Sequence, residues 1–295
     1  MLPRPSNSDP APSADWIEAS CLVSRDAALS RSDIVGILSV IGESAPEEQA
    51  ETTWIQLQGR RSVLGAEYPF EIEQESVALR DTNPARNAYL AMLLISIRAY
   101  IAEARTNPIT DYTRLFEYLT AEAARRYVSG QSVRIGWPRE APVPAGFGDL
   151  IEYLSDLLRE GPTGPVLNEP DKDAGADVVA WRPFADGRAG QLIVLAQCAT
   201  GGNWKEKATE LQCLEWQRYI QFAVEPIRVL AIPHIEPDAG RWVKYSSRGG
   251  VILDRVRITE LLGGDPYGQL ADEVNDWLEG EIVRLRLVES EAGLS

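Results

Sequence analysis

The chain has 295 residues, 44% of them apolar and 25% charged, and its 44 Asp and Glu outnumber its 29 Lys and Arg to give a formal net charge of −15. That composition suits a folded protein of one large or two ordinary domains. The charge excludes broad, whole-surface binding of nucleic acid, because such affinity comes from Lys and Arg meeting phosphates. A nucleic-acid role would need a local basic patch, metal ions or a partner subunit. Three scattered cysteines, Cys21, Cys198 and Cys213, exclude a disulfide framework or zinc knuckle and fit the reducing cytoplasm.

In chain order, residues 1–14 are rich in Pro, Ser and Ala without an apolar core, and read as a disordered leader rather than a signal peptide. Residues 15–23 and 32–41 read as short helices, the second capped by Ser32 with Ile34, Val35, Leu38 and Ile41 on its apolar face. Residues 43–52 form an acidic connection. The pieces TWIQLQG, SVLGAEY and FEIEQESVAL, spread over 53–79, read as strands. Helices are expected over 84–104, with Pro84 near the start, and over 111–128, opening on an acid and ending before Gly130. Residues 15–130 together make a mixed, mainly helical region. The most apolar window, 89–101, is broken by Arg98 and too short to span a bilayer.

Residues 131–147 hold three prolines and read as a linker, although VRIGWPRE would also serve as a strand. Residues 148–295 follow the order α–β–β–α–β–(β)–α, which suits an α/β layer fold: a small mixed sheet flanked by helices. Its pieces are a helix over 148–160, the strands DVVAW and QLIVLAQ, and a helix over 203–222. The buried strand IRVLAIPHI follows, then a further strand or two with a short helix, and an amphipathic helix over 265–287.

The informative stretch is 171–211. Asp186-Gly187 is a hairpin turn signal between the two strands. Period 2 puts Gln191, Ile193, Leu195 and Gln197 on one face of the second strand, and Leu192, Val194 and Ala196 on the other. A buried amide at Gln197 needs partners, which metal, water or substrate would supply. In the helix that follows, Trp204, Ala208, Leu211 and Glu215 share a stripe with Lys207 at its edge, while Lys205 falls toward solvent. An acid at Asp177, the amide and Lys207 brought together can hold a divalent metal and activate water. Each residue also has a plainer reading: a turn cap for Asp177, a satisfied strand-end amide for Gln197, a solvated charge for Lys207.

The run G-x-D-V-V-A-W, hairpin, Q-L-I-V-L-x-Q-C, then N-W-x-x-K resembles the core of the PD-(D/E)xK nuclease superfamily, in its Mrr-like branch with Gln. The resemblance covers roughly 148–235 and implies a restriction-endonuclease-like fold. It implies that Asp177 and Gln197 hold Mg²⁺ or Mn²⁺ with the Cys198 carbonyl, and that Glu152 is the acid of the first core helix. Ala199 stands where that family carries its lysine, so Lys207, with Lys205 as the substitute, is expected to replace it from the helix. The resemblance further implies a metal-dependent DNA endonuclease in bacterial defence or DNA processing, working with a protein partner and compatible with a homo-oligomer. The other class considered is a catalytically silent nuclease-fold subunit that binds a partner protein. A thiol hydrolase pairing Cys198 with the single histidine, His234, is a third.

Overall fold

Proline starts and polar caps set the helices of the first half, and a buried helix organises it. The computed structural model describes residues 2–3, 10–40, 42–81, 83–101, 112–163, 174–263 and 267–292. The first elements are α1 (Pro10–Val23), β1 (Ala28–Ser30), α2 (Arg31–Val40) and α3 (Pro46–Leu64). Next come β2 (Phe70–Ile72), β3 (Ser76–Leu79), α4 (Pro84–Ile97) and α5 (Tyr112–Tyr127). In α4, Asn83 caps the start by accepting the Arg86 N–H at 2.9 Å, and every residue from Ala88 to Ile97 is buried. A helix apolar all round belongs inside a core.

The remainder runs β4 (Gln131–Arg134), α6 (Phe147–Leu158), β5 (Val178–Arg182), β6 (Leu192–Cys198), α7 (Trp204–Lys207) and α8 (Cys213–Trp216). It closes with β7 (Ile227–Ala231), α9 (Ala239–Gly249), β8 (Val251–Leu253), α10 (Arg255–Leu262) and α11 (Gln269–Ala292). The main sheet has the order β4-β5-β6-β7-β8. Strands β4, β5 and β6 pair antiparallel, and β6, β7 and β8 parallel. A small sheet β1-β3-β2 lies apart from it.

Strand parity divides the core. Val178, Ala180, Val194, Ala196, Val229 and Ala231 face the helices of the first half together with α10 and α11. Val179, Trp181, Ile193 and Leu195 face α6 and α8. Further along that second face, Leu230, Ile232 and Ile252 pack with Trp204, Ala208 and Tyr245 of α7 and α9. The result is a mixed sheet between two helical layers, as an α/β layer fold requires.

Several expectations need correction. Residues 131–147 are not a linker: β4 pairs with β5 from Gln131↔Trp181 to Arg134↔Val178, and all three prolines come after it. The first half covers one face of the sheet, so the chain does not divide there into two units. The leader is partly built in, because α1 starts at Pro10 and buried Leu2 accepts the Trp16 indole N–H at 2.8 Å. Residues 4–9 lie outside the described residues, as do 41, 102–104, 111 and 265–266 of the expected helices. The piece read as strand at 53–64 belongs to α3. Its Thr and Ile residues suggested β structure. Pro46 at the first turn, Glu47 and Glu48 beside it, and burial of Ala50, Trp54, Leu57, Arg60 and Leu64 at helical spacing decide for helix.

The helix expected over 203–222 is two single turns. Trp204 and Ala208 join one cluster while Leu211, Cys213, Trp216 and Ile220 join another, and one straight helix would not reach both. Residues 239–249, read among strands, form α9, capped by Asp238 accepting the Arg241 N–H at 2.6 Å.

Candidate functional site

A cavity of about 440 Å³ opens where β5 begins and β6 ends, and Asp177, Gln197, Cys198 and Lys207 all line it. Glu117, Glu210, Thr113, Thr200 and Asn203 line it as well. The carboxyl ends of parallel strands are where open α/β sheets place ligands.

Asp177 extends the β5–β6 ladder by one residue. Its N–H donates to Ala196 O at 2.8 Å, and its Oδ2 accepts the Cys198 N–H at 2.7 Å. One carboxylate oxygen thus serves the strand end. The other faces Gly136: a Cβ added there would sit 3.1 Å from Asp177 Oδ1 and closer still to Glu117 Oε2. Only glycine leaves room for these two carboxylates at the sheet end. The Arg134 guanidinium compensates them, with Nε 2.6 Å from Glu117 Oε2, while its plane lies over the Tyr118 ring.

Gln197 is buried, and its Nε2 donates to Glu210 Oε2 at 2.8 Å. A carboxylate only accepts, so Glu210 fixes the amide orientation and leaves Gln197 Oε1 as the end able to meet a cation. Lys207 comes from the last position of α7 and is half-buried. Lys205 is turned away, with its ammonium 3.9 Å from Glu236 and over the Trp204 ring.

Glu152 does not reach the cavity. The buried arc of α6 runs through Phe147, Leu150, Ile151, Leu154 and Leu158, and Glu152 lies roughly 145° from its centre, in solvent. The acid at the site is Glu117 on α5, which packs against β4, β5 and β6. It was legible as a charge at the edge of the apolar arc of the last helix before the sheet. That helix was read as part of a separate region, so its acid was not sought. Glu210 joins the site from the turn after α7.

The thiol reading fails on geometry. Burial first, then the Asp177 and Glu117 charges, push the Cys198 thiol well above its ordinary pKa, which leaves no thiolate to attack. His234 is hydrogen-bonded to Ser96, Thr200 and Gly201 rather than to Cys198. The glycines at 201–202 precede a helix of only four residues, too short to offer a phosphate site at its start.

Among the described residues no group of three or more His, Cys, Asp or Glu side chains could hold a metal ion by itself. Mg²⁺ does not need one: it keeps several waters and binds through one or two carboxylates plus substrate phosphates. Two carboxylates converging at Gly136, with a neutral amide beside them, fit that donor set. No helix among the described residues is long and apolar enough to cross a membrane. Compared with protein families, curated proteins and solved structures, the chain matches none.

Proposed function

We propose that the chain is a metal-dependent phosphodiesterase of the restriction-endonuclease-like kind, acting on DNA. The observation that carries this reading is the sharing of one cavity by Asp177, Glu117, Gln197 and Lys207. They come from the start of β5, the helix before the sheet, the end of β6 and the helix after it. The resemblance implies Glu152 as the acid of the first core helix; Glu117 on α5 lines the cavity and would take that part instead. A bound Mg²⁺ or Mn²⁺ would polarise a phosphoryl oxygen and acidify a water. Asp177 and Glu117 would supply the negative charge that holds it, with Gln197 Oε1 and the Cys198 carbonyl as neutral donors. Lys207 would hold a water or a phosphate oxygen and stabilise developing negative charge.

One observation favours a second reading, the catalytically silent subunit that binds a partner protein. Arg134 already neutralises Glu117, and a divalent ion would have to compete with that guanidinium. Plasmid cleavage in Mg²⁺ or Mn²⁺ by the full chain, with Asp177→Asn and Lys207→Ala beside it, tests the proposal. Wild type is expected to nick DNA, with each variant at least about 100-fold slower. Cleavage by both variants at the wild-type rate would sink the assignment. Absence of cleavage by wild type with the intact cavity would favour the silent subunit.

A further inference from the structure

The first half and the cavity are joined by a buried polar chain that the proposed chemistry does not use. Asp15 and Glu18 of α1 sit among Arg60, Arg255, Tyr68 and Tyr89, all buried. Arg60 Nη1 lies 2.8 Å from Asp15 Oδ1 and 2.7 Å from Glu18 Oε2, and Arg255 pairs with the same Asp15 oxygen. Ser96, at the end of α4, places its Oγ 2.8 Å from both Asp15 Oδ2 and His234 Nδ1. His234 stands just beyond β7, and its Nε2 lies 3.1 Å from the carbonyl oxygens of both Thr200 and Gly201.

These contacts fix the ring's chemistry. Carbonyl oxygens only accept, so Nε2 carries a proton and donates it. Gly201 O also accepts the Trp204 N–H at 3.2 Å, the bond that opens α7. The Trp204 ring stacks on His234 at 6.4 Å between centroids, and Tyr100 meets His234 edge-on. Three residues after Trp204 comes Lys207. The ring therefore grips the carbonyl from which α7 starts, and the buried Asp15–Ser96 pair grips the ring.

We infer that His234 is a positioning residue: through Gly201 O it sets α7, and with it the Lys207 ammonium, at the cavity. This inference rests on the hydrogen-bond geometry and holds whether or not the cavity binds metal. It gives the first half of the chain a second task at the site beside that of Glu117, since Asp15 and Ser96 both come from there.

The test is amide hydrogen exchange on the full chain, comparing His234→Gln, His234→Phe and Ser96→Ala with wild type. Gln can donate to the carbonyl, whereas Phe fills the ring volume without that bond. Positioning predicts that His234→Phe speeds exchange at the Trp204 and Glu206 amides about fivefold or more. It predicts that His234→Gln restores most of the protection, that Ser96→Ala falls between them, and that the β5 and β6 amides stay unchanged. If Phe protects as well as His, or better than Gln, the ring serves packing alone and the inference is overturned. Uniform acceleration across β5, β6 and α7 also overturns it. Should His234→Phe not fold, Ser96→Ala decides by the same comparison. Failure of DNA cleavage would leave this result untouched, so the two ideas fall separately.

Discussion

At the scale of single residues, the site depends on how each carboxylate divides its oxygens. Asp177 gives Oδ2 to the Cys198 N–H and turns Oδ1 toward Glu117. An Asn at 177 can still accept that N–H but brings no charge. Asp177→Asn is therefore expected to keep the wild-type melting temperature within a few degrees while weakening Mn²⁺ binding at least about tenfold.

His234 makes a second residue-scale prediction. Burial pulls its pKa down to about 4, against opposing help from Asp15. Burial also works against the charge of Asp15, but the Arg255 and Arg60 guanidiniums outweigh it and hold that carboxyl below its ordinary pKa. The unfolded histidine titrates near ~6.5. Above that pH the ring is neutral in both states and costs nothing. Below it the unfolded chain takes up a proton that the folded one refuses until about pH 4, so stability falls with falling pH. Between pH 6.5 and 5 the loss from this group is about 1–2 kcal/mol. Urea unfolding across that range should show the loss in wild type and much less of it in His234→Gln; equal slopes would contradict the assignment.

At the scale of elements, the strands were legible and the helices only in part. QLIVLAQ is a short apolar run, buried over most of its length; its two faces follow from strand parity, and its pairing with DVVAW from the Asp186-Gly187 turn. The same reading took TWIQLQG for a strand because Thr and Ile favour sheets on average. There the three-to-four spacing of Trp54, Leu57, Arg60 and Leu64, buried against α1 and the small sheet, outweighs that preference. The break between α7 and α8 was not readable, because it comes from two separate clusters meeting one segment. Gly250 shows how an element's end can depend on one atom. It has φ 83°, and a Cβ there would run into the Arg228 carbonyl oxygen. Gly250→Ala should destabilise the α9–β8 junction by more than ~1 kcal/mol in chemical denaturation; an unchanged midpoint would contradict this.

For the whole molecule, the division into a helical region and a separate nuclease-like unit disappears. Cα partners between β4 and β5, the cover that the first half gives Val178, Ala180, Val194 and Ala196, and the α1–Arg255 pair bind the halves together. Sequence reading stops at such joins, since they come from contacts between distant segments. Arg255 is fully buried, and Arg255→Ala would leave the buried Asp15 and Glu18 to share Arg60 alone, with an expected cost of roughly 3–5 kcal/mol. Residues 148–295 expressed alone should bind hydrophobic dye and lack a sharp near-UV spectrum, because one face of the sheet loses α5 and the first-half helices packed around it. A cooperative, dye-free fragment would show that the halves are independent. The net charge of −15 predicts that DNA binding by the chain alone is weak and falls steeply with salt.

The central claim is that Asp177, Glu117 and Gln197 make a divalent-cation site. Calorimetric titration of the full chain with Mn²⁺ tests it without assuming a substrate. The account predicts binding by wild type, with the heat lost in Asp177→Asn while the folded spectrum is retained. No binding by wild type, or equal binding by Asp177→Asn, would contradict it.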